Sequence, residues 1–155
     1  VTFMYKPLRS QKQNDYLFKR RNKGNLTMAS SDKSGIRKIQ RALKNSELVG
    51  MLPDQDPGVE GGIMSPFFNI KVNTMTLLAK IAKKNDLQVL IFWAKRLPKG
   101  EGYELNLEPV DLSINGDTLE GQVASMNQSV EALVRNMPEQ YMWSYKRFKS
   151  THSYG

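Results

Sequence analysis

At 155 residues, 39% hydrophobic and 25% charged, the chain suits one folded domain with a real core, which excludes disordered and collagen-like classes. It has no cysteine and one histidine, so disulfides, zinc–thiolate centres, iron–sulfur clusters, thiol catalysis and His-rich metal sites are excluded. The net charge of +8 is lopsided: residues 1–50 carry twelve Lys/Arg against Asp15, Asp32 and Glu47, whereas residues 51–155 carry eleven against twelve acids.

In chain order, residues 1–5 (VTFMY) predict a buried strand, ended by Lys6-Pro7. Residues 11–21 predict a helix with one wet, basic face, and residues 26–28 a short strand. Residues 34–45 place Ile36, Ile39 and Leu43 at helical spacing, with Asp32 as a candidate N-cap and Arg37, Lys38, Arg41 and Lys44 on the other face. Residues 48–52 (LVGML) read as a strand covered on both sides, ending in a loop over residues 53–62 that two prolines and a run of glycines impose. A helix is expected over 73–84 and the strongest strand over 87–93. A turn then spans 97–102, an edge strand 103–107, and the longest helix 118–136, which Pro138 stops. The tail, 139–149, alternates aromatic and basic residues. Together these elements predict an α/β fold with a mostly parallel central sheet and helices on both faces, as a single domain over 1–149 with a flexible tail over 150–155.

The basic first third implies an anionic partner such as nucleic acid, acidic lipid or a phosphorylated ligand, unless it serves solubility alone. Arg9, Lys12, Lys19, Arg20 and Arg21 are the candidate phosphate-binding cations. Asp54, Gln55 and Asp56 follow a strand, the usual place for a ligand loop in such sheets. There they could orient cations or supply a base, and Asp-Pro-Gly is also ordinary turn chemistry. Two carboxylates are thin support for magnesium, and no metal or cofactor is expected. His152 lies in a polar terminal segment and reads as part of an unstructured end. The longest apolar run, six residues ending at Ala94, is far short of the ~20 a membrane-spanning helix needs.

Three segments carry a resemblance: Leu52-Pro53-Asp54-Gln55-Asp56-Pro57-Gly58, then Ser65-Pro66-Phe67-Phe68 through Thr74, then Pro138-Glu139-Gln140-Tyr141-Met142-Trp143 followed by Lys146-Arg147-Phe148-Lys149. In this order and at these spacings they resemble the late, Kdo-dependent lipid A biosynthesis acyltransferases. Tyr5-Lys6-Pro7-Leu8-Arg9 is similar to that family's tyrosine-basic-proline stretch. The resemblance implies a glycerolipid-acyltransferase-like fold and transfer of a fatty acyl group from acyl carrier protein to a hydroxyl of a phosphorylated lipid A precursor. The implied place is the cytoplasmic face of the Gram-negative inner membrane, with no nucleic-acid partner. It further implies Arg20 or Arg21 beside the catalytic cleft with Asp54 and Asp56 in support. Arg9, Lys12, Gln55, Phe67, Phe68 and Thr74 would then contact substrate, the two phenylalanines lining the acyl-chain groove. The family's histidine-x4-acid base is expected upstream of Val1, together with a hydrophobic anchor, so the chain reads as the C-terminal portion of such an enzyme and as inactive alone. The sequence departs from the family pattern at Asn69 (usually glycine), Asn73 (usually small) and Tyr145 (often histidine), which bears on local backbone shape and acyl length. The rival reading is a non-catalytic module that binds nucleic acid or acidic lipid through the basic first third.

Overall fold

A computed structural model of the chain describes residues 1–151. His152 and the rest of the expected tail after residue 151 lie outside the described residues. The chain divides into two compact units, Val1–Leu52 and Pro53–Gly155.

In the first unit three parallel strands stand in the order β2-β1-β3: β1 Thr2–Tyr5, β2 Thr27–Ser30 and β3 Val49–Gly50. Thr2 pairs with Thr27 on one side of β1 and with Val49 on the other. Helix α1 (Gln11–Arg21) connects β1 to β2, and α2 (Lys33–Lys44) carries the chain from β2 across β1 to β3. Right-handed crossovers in those opposite directions set the two helices on opposite faces of the sheet. The Asp32 carboxylate accepts from the amides of Ser34 (2.8 Å) and Gly35 (2.9 Å), capping α2 as the sequence predicts. Ile39 and Ala42 bury the inner stripe of α2 with Met28 and Ala29 of β2 in the core of this unit. A Cβ on Gly35 would collide with the Ser30 carbonyl, so this helix lies as close to β2 as backbone allows. β3 is shorter than expected and is not covered on both sides: Leu48 and Leu52 are exposed. Only Val49 and Gly50 stand in register with β1, the Leu48 carbonyl accepting from the Thr2 amide (2.9 Å), and Pro53, lacking an amide hydrogen, cannot extend a ladder.

The second unit holds two antiparallel hairpins, β4 (Gly62–Phe67) with β5 (Ile70–Met75), and β6 (Val89–Arg96) with β7 (Tyr103–Val110). The chain is therefore mixed α/β, and parallel pairing is confined to the first unit, which corrects the expectation of a mostly parallel central sheet. Residues 70–75 also correct the expected helix from residue 73. Val72 and Thr74 are fully buried while Lys71 is exposed, the period-two alternation of a strand, and α3 begins only at Leu77 (Leu77–Lys84). The first hairpin closes through Phe68 (φ 50°) and Asn69 (φ 62°), both left-handed, as a two-residue type I′ turn requires. A left-handed turn position suits glycine, and asparagine is the side chain that tolerates the geometry best. The long helix α4 (Leu119–Asn136) starts at Thr118, whose hydroxyl accepts from the Gly121 amide (3.1 Å). Its Val130 and Val134 close a core with Phe67 and Val72, against which Ile91, Tyr141 and Phe148 pack.

Candidate functional site

The loop, hairpin and tail segments singled out in the sequence converge in the second unit on one buried polar network. Asp56, 5% exposed, is its hub. One carboxylate oxygen accepts from the Gly58 amide (2.8 Å) and from Asn73 Nδ2 (3.0 Å), while the other faces Lys149 Nζ at 3.3 Å. The Asp56 amide itself donates to the Tyr145 hydroxyl (2.8 Å), and Asn73 Nδ2 also donates to the Gly58 carbonyl (2.8 Å). Burial pushes the Asp56 carboxyl up, but the Gly58 amide, Asn73 and Lys149 outweigh it and hold the group below the ordinary carboxylate value. A carboxylate so engaged is a weak proton acceptor; its geometry orients a cation and fixes a loop.

The second centre is Arg147. It is 1% exposed, the largest fully buried side chain among the described residues. Its guanidinium donates to the Asn73 carbonyl (2.6 Å) and to Thr74 Oγ1 (2.8 Å) and lies 5.4 Å from the Phe67 ring centroid. Thr74 Oγ1 also accepts from Asn127 Nδ2 (3.0 Å) and donates to the Val72 carbonyl (3.2 Å), so its donor and both acceptor positions are used. Asn127 donates in addition to the Pro66 carbonyl (2.8 Å), tying α4 to the hairpin. Burial lowers the Arg147 pKa, opposed by Tyr141, Asp54, Tyr145 and Asp56, and the group remains a cation at neutral pH. Burial, then the negative charge of Asp54, pushes the Tyr141 phenol well above its usual value. Among the described residues, the buried side-chain atoms Arg147 Nε and Ser65 Oγ have no hydrogen-bond partner.

Of the sequence-derived candidates, Asp54, Gln55, Asp56, Phe67, Phe68 and Thr74 are all in this unit. Asp56 and Thr74 are buried in the network, and Asp54 and Gln55 are half-buried. Phe67 is a core residue with no exposed surface. Phe68 is half-buried, edge-on to Phe67 (4.9 Å) and 6.2 Å from Trp143, with the Arg135 guanidinium 4.8 Å over its ring. Asn73 as a bridge, Asn127, the Tyr145 hydroxyl, Arg147 and Lys149 were not among the candidate site residues, the last two standing only within the tail motif. An amide in a strand and another on an apolar helix face were the available signals.

Arg9, Lys12, Arg20 and Arg21 belong to the first unit, and topology separates them. The strand order changes direction beside β1, and in such sheets ligands bind beyond the carboxyl ends of the strands at that point. Lys6 and Arg9 leave β1 at that edge and Lys12 opens α1 there. Arg20 and Arg21 end the eleven-residue helix, about 12–14 Å further along its axis than Lys12. All four candidate cations are exposed. Among the described residues no group of three or more His, Cys, Asp and Glu could hold a metal ion, and no helix is long and apolar enough to cross a membrane.

A family described as bacterial lipid A biosynthesis acyltransferase matches residues 1–150. The chain is 33% identical over 120 residues to the lipid A biosynthesis lauroyltransferase of Escherichia coli (strain K12), covering 77% of this chain and 39% of that protein. It is 33% identical over 121 residues to the palmitoleoyltransferase of the same strain, covering 76% of this chain and 39% of that protein. A lipid A biosynthesis acyltransferase of Haemophilus influenzae is 28% identical over 110 residues, 71% of this chain and 34% of that protein. The chain thus spans about two fifths of the first of these relatives, and by the match along nearly its whole length it belongs to the bacterial lipid A biosynthesis acyltransferase family.

Proposed function

We propose that this chain is part of an enzyme that transfers a fatty acyl group from acyl carrier protein to a hydroxyl of a phosphorylated lipid A precursor, at the cytoplasmic face of a Gram-negative inner membrane. The match to the family over residues 1–150 carries the reading. The convergence of the three motif segments on Asp56 and Arg147 supports it.

A neutral hydroxyl attacks a thioester only with a positioned base, and the thioester oxygen gains charge as the tetrahedral intermediate forms. No histidine occurs in residues 1–151, and Asp56 is held too acidic and too fully hydrogen-bonded to serve. By the family resemblance, the base we propose is an imidazole in the part of the enzyme that this chain does not cover, and the chain alone is expected to transfer nothing. Its own part is binding. Arg9 and Lys12, at the carboxyl edge of the parallel sheet, take precursor phosphates, for which a guanidinium offers two parallel donors. Arg20 and Arg21, one helix length away, add positive field. Phe68 with Trp143 forms apolar wall for the acyl chain, and Phe67 backs it from the core. Asp54, Gln55 and Asp56 form a loop whose shape Arg147, Asn73 and Lys149 maintain.

The test joins this chain to the part of the E. coli lauroyltransferase that it does not cover and follows acyl transfer. Arg9→Gln and Lys12→Gln are each expected to raise KM for the phosphorylated acceptor by about tenfold, the effect of losing a charged hydrogen bond of ~1.5 kcal/mol, with kcat little changed. Unchanged KM in both variants would remove these residues from the binding site.

A further inference from the structure

Helix α1 lies on the sheet without burying a single residue completely, and its Ser10 N-cap makes no side-chain hydrogen bond. An isolated helix of eleven residues is marginal in water. Its inner side rests on half-buried Leu17 and Phe18, the latter 6.3 Å from the Tyr5 ring. The outer side carries Lys12, Tyr16, Lys19 and Arg20 within roughly 100° of helix circumference, all exposed. Tyr16 is 58% exposed, and Arg20 arches over it, its Nε donating to the phenol oxygen (3.0 Å) and its guanidinium carbon 5.2 Å from the ring centroid. The one acid of the helix, Asp15, flanks the stripe and accepts from Gln11 (2.8 Å). Exposed Leu8 lies just before the helix.

We propose that this stripe is the surface by which the chain docks on an anionic lipid bilayer, with Tyr16 seated at head-group level among the three cations. The identification rests on the membrane-surface part of the proposed function. The chemistry fits a bilayer in two ways. Cations close to an anionic leaflet gain attraction individually, and an amphipathic phenol flanked by them prefers the boundary between water and hydrocarbon. The stripe also starts at Lys12, on the sheet edge where Arg9 stands, so docking along α1 brings that edge to the lipid. The cations of α2 (Arg37, Lys38, Arg41 and Lys44) have no tyrosine among them and occupy the opposite face. Across the sheet they are more than one Debye length, about 10 Å at 0.1 M salt, from a bilayer seated on α1.

The test is co-sedimentation of the 155-residue chain with vesicles of phosphatidylglycerol and phosphatidylcholine in 0.1 M salt. Each stripe cation is expected to contribute about fivefold in partitioning, so Lys12→Gln/Lys19→Gln/Arg20→Gln loses roughly two orders of magnitude. Arg37→Gln/Arg41→Gln/Lys44→Gln, of equal charge change, loses less than tenfold. Tyr16→Ser weakens binding at constant charge and Tyr16→Trp retains it; circular dichroism of each variant reports an intact fold. Equal losses from the two helices, equal binding to pure phosphatidylcholine vesicles, or tighter binding to duplex DNA than to the anionic vesicles would overturn the proposal. Vesicle binding is read without any acyl transfer, so failure of the catalytic reading leaves this result standing, and the converse holds.

Discussion

Replacing Arg147 by methionine keeps much of the side-chain volume and removes the buried charge. Two short hydrogen bonds disappear, to the Asn73 carbonyl and to Thr74 Oγ1, together with the stacking on Phe67. Hydrogen bonds from a charged donor contribute ~1.5–3 kcal/mol each, so the gross loss is about 3–6 kcal/mol. Against this, methionine escapes part of the cost of burying a guanidinium, and the unpartnered Nε is gone. The acceptors and the neighbouring Asp54 and Asp56 remain in place, so the loss wins and a net destabilisation of about 3 kcal/mol is expected. For a chain of this size that lowers the midpoint of thermal unfolding by roughly 6–12 °C. Urea unfolding supplies the free energy directly. Arg147→Lys is expected to recover only part of the loss, because one ammonium cannot reproduce a planar fork that meets two acceptors while stacking on a ring. A methionine variant within 0.5 kcal/mol of the parent, or more stable, would refute the claim that this cation holds the hairpin and tail together.

Asn69→Gly supplies the residue best suited to a left-handed turn position and is expected to stabilise by about 0.5–1 kcal/mol, read as a raised thermal midpoint. Asp56 has a folded-state pKa below its ordinary value of 3.8, so it contributes stability at higher pH that is lost as pH falls through the depressed folded value. Asp56→Asn is accordingly expected to lower stability at pH 7 and to flatten the dependence below pH ~4, measured by urea unfolding across that range. Asp32→Ala removes two amide contacts at the start of α2 and is expected to cost ~1 kcal/mol, with hydrogen exchange quickened at Ser34 and Gly35.

Where a signal was local, the sequence was readable. α1 begins and ends at the residues its pattern indicated, Asp32 caps α2, and Pro138 follows the end of α4. The first hairpin escaped because its turn is Phe-Asn, not Asn-Gly, and because Met75, Leu78, Ala79 and Ala82 continue a helical spacing across the strand–helix junction. Strand type escaped for a different reason: an apolar run such as residues 87–93 has the same composition whether its neighbour is parallel or antiparallel. Its partner β7 lies across a turn, and its residues Leu90 and Phe92 are exposed. In the site, the loop and tail motifs stood out by resemblance. The hydrogen bonds linking them span 53 to 89 residues of chain, through Asn127, Arg147 and Tyr145, and no local pattern encodes such pairings.

Mass analysis of the product tests most directly the proposal that this chain supplies the binding half of an acyl transfer whose base lies elsewhere. The chain alone, and the chain joined to the part of the E. coli lauroyltransferase it does not cover, are each incubated with an acyl carrier protein thioester and a phosphorylated lipid A precursor. The joined protein is predicted to increase the precursor mass by one acyl group, and the chain alone to leave it unchanged. Acylation by the chain alone, or a joined protein that folds and acylates glycerol phosphate but not the lipid A precursor, would contradict it.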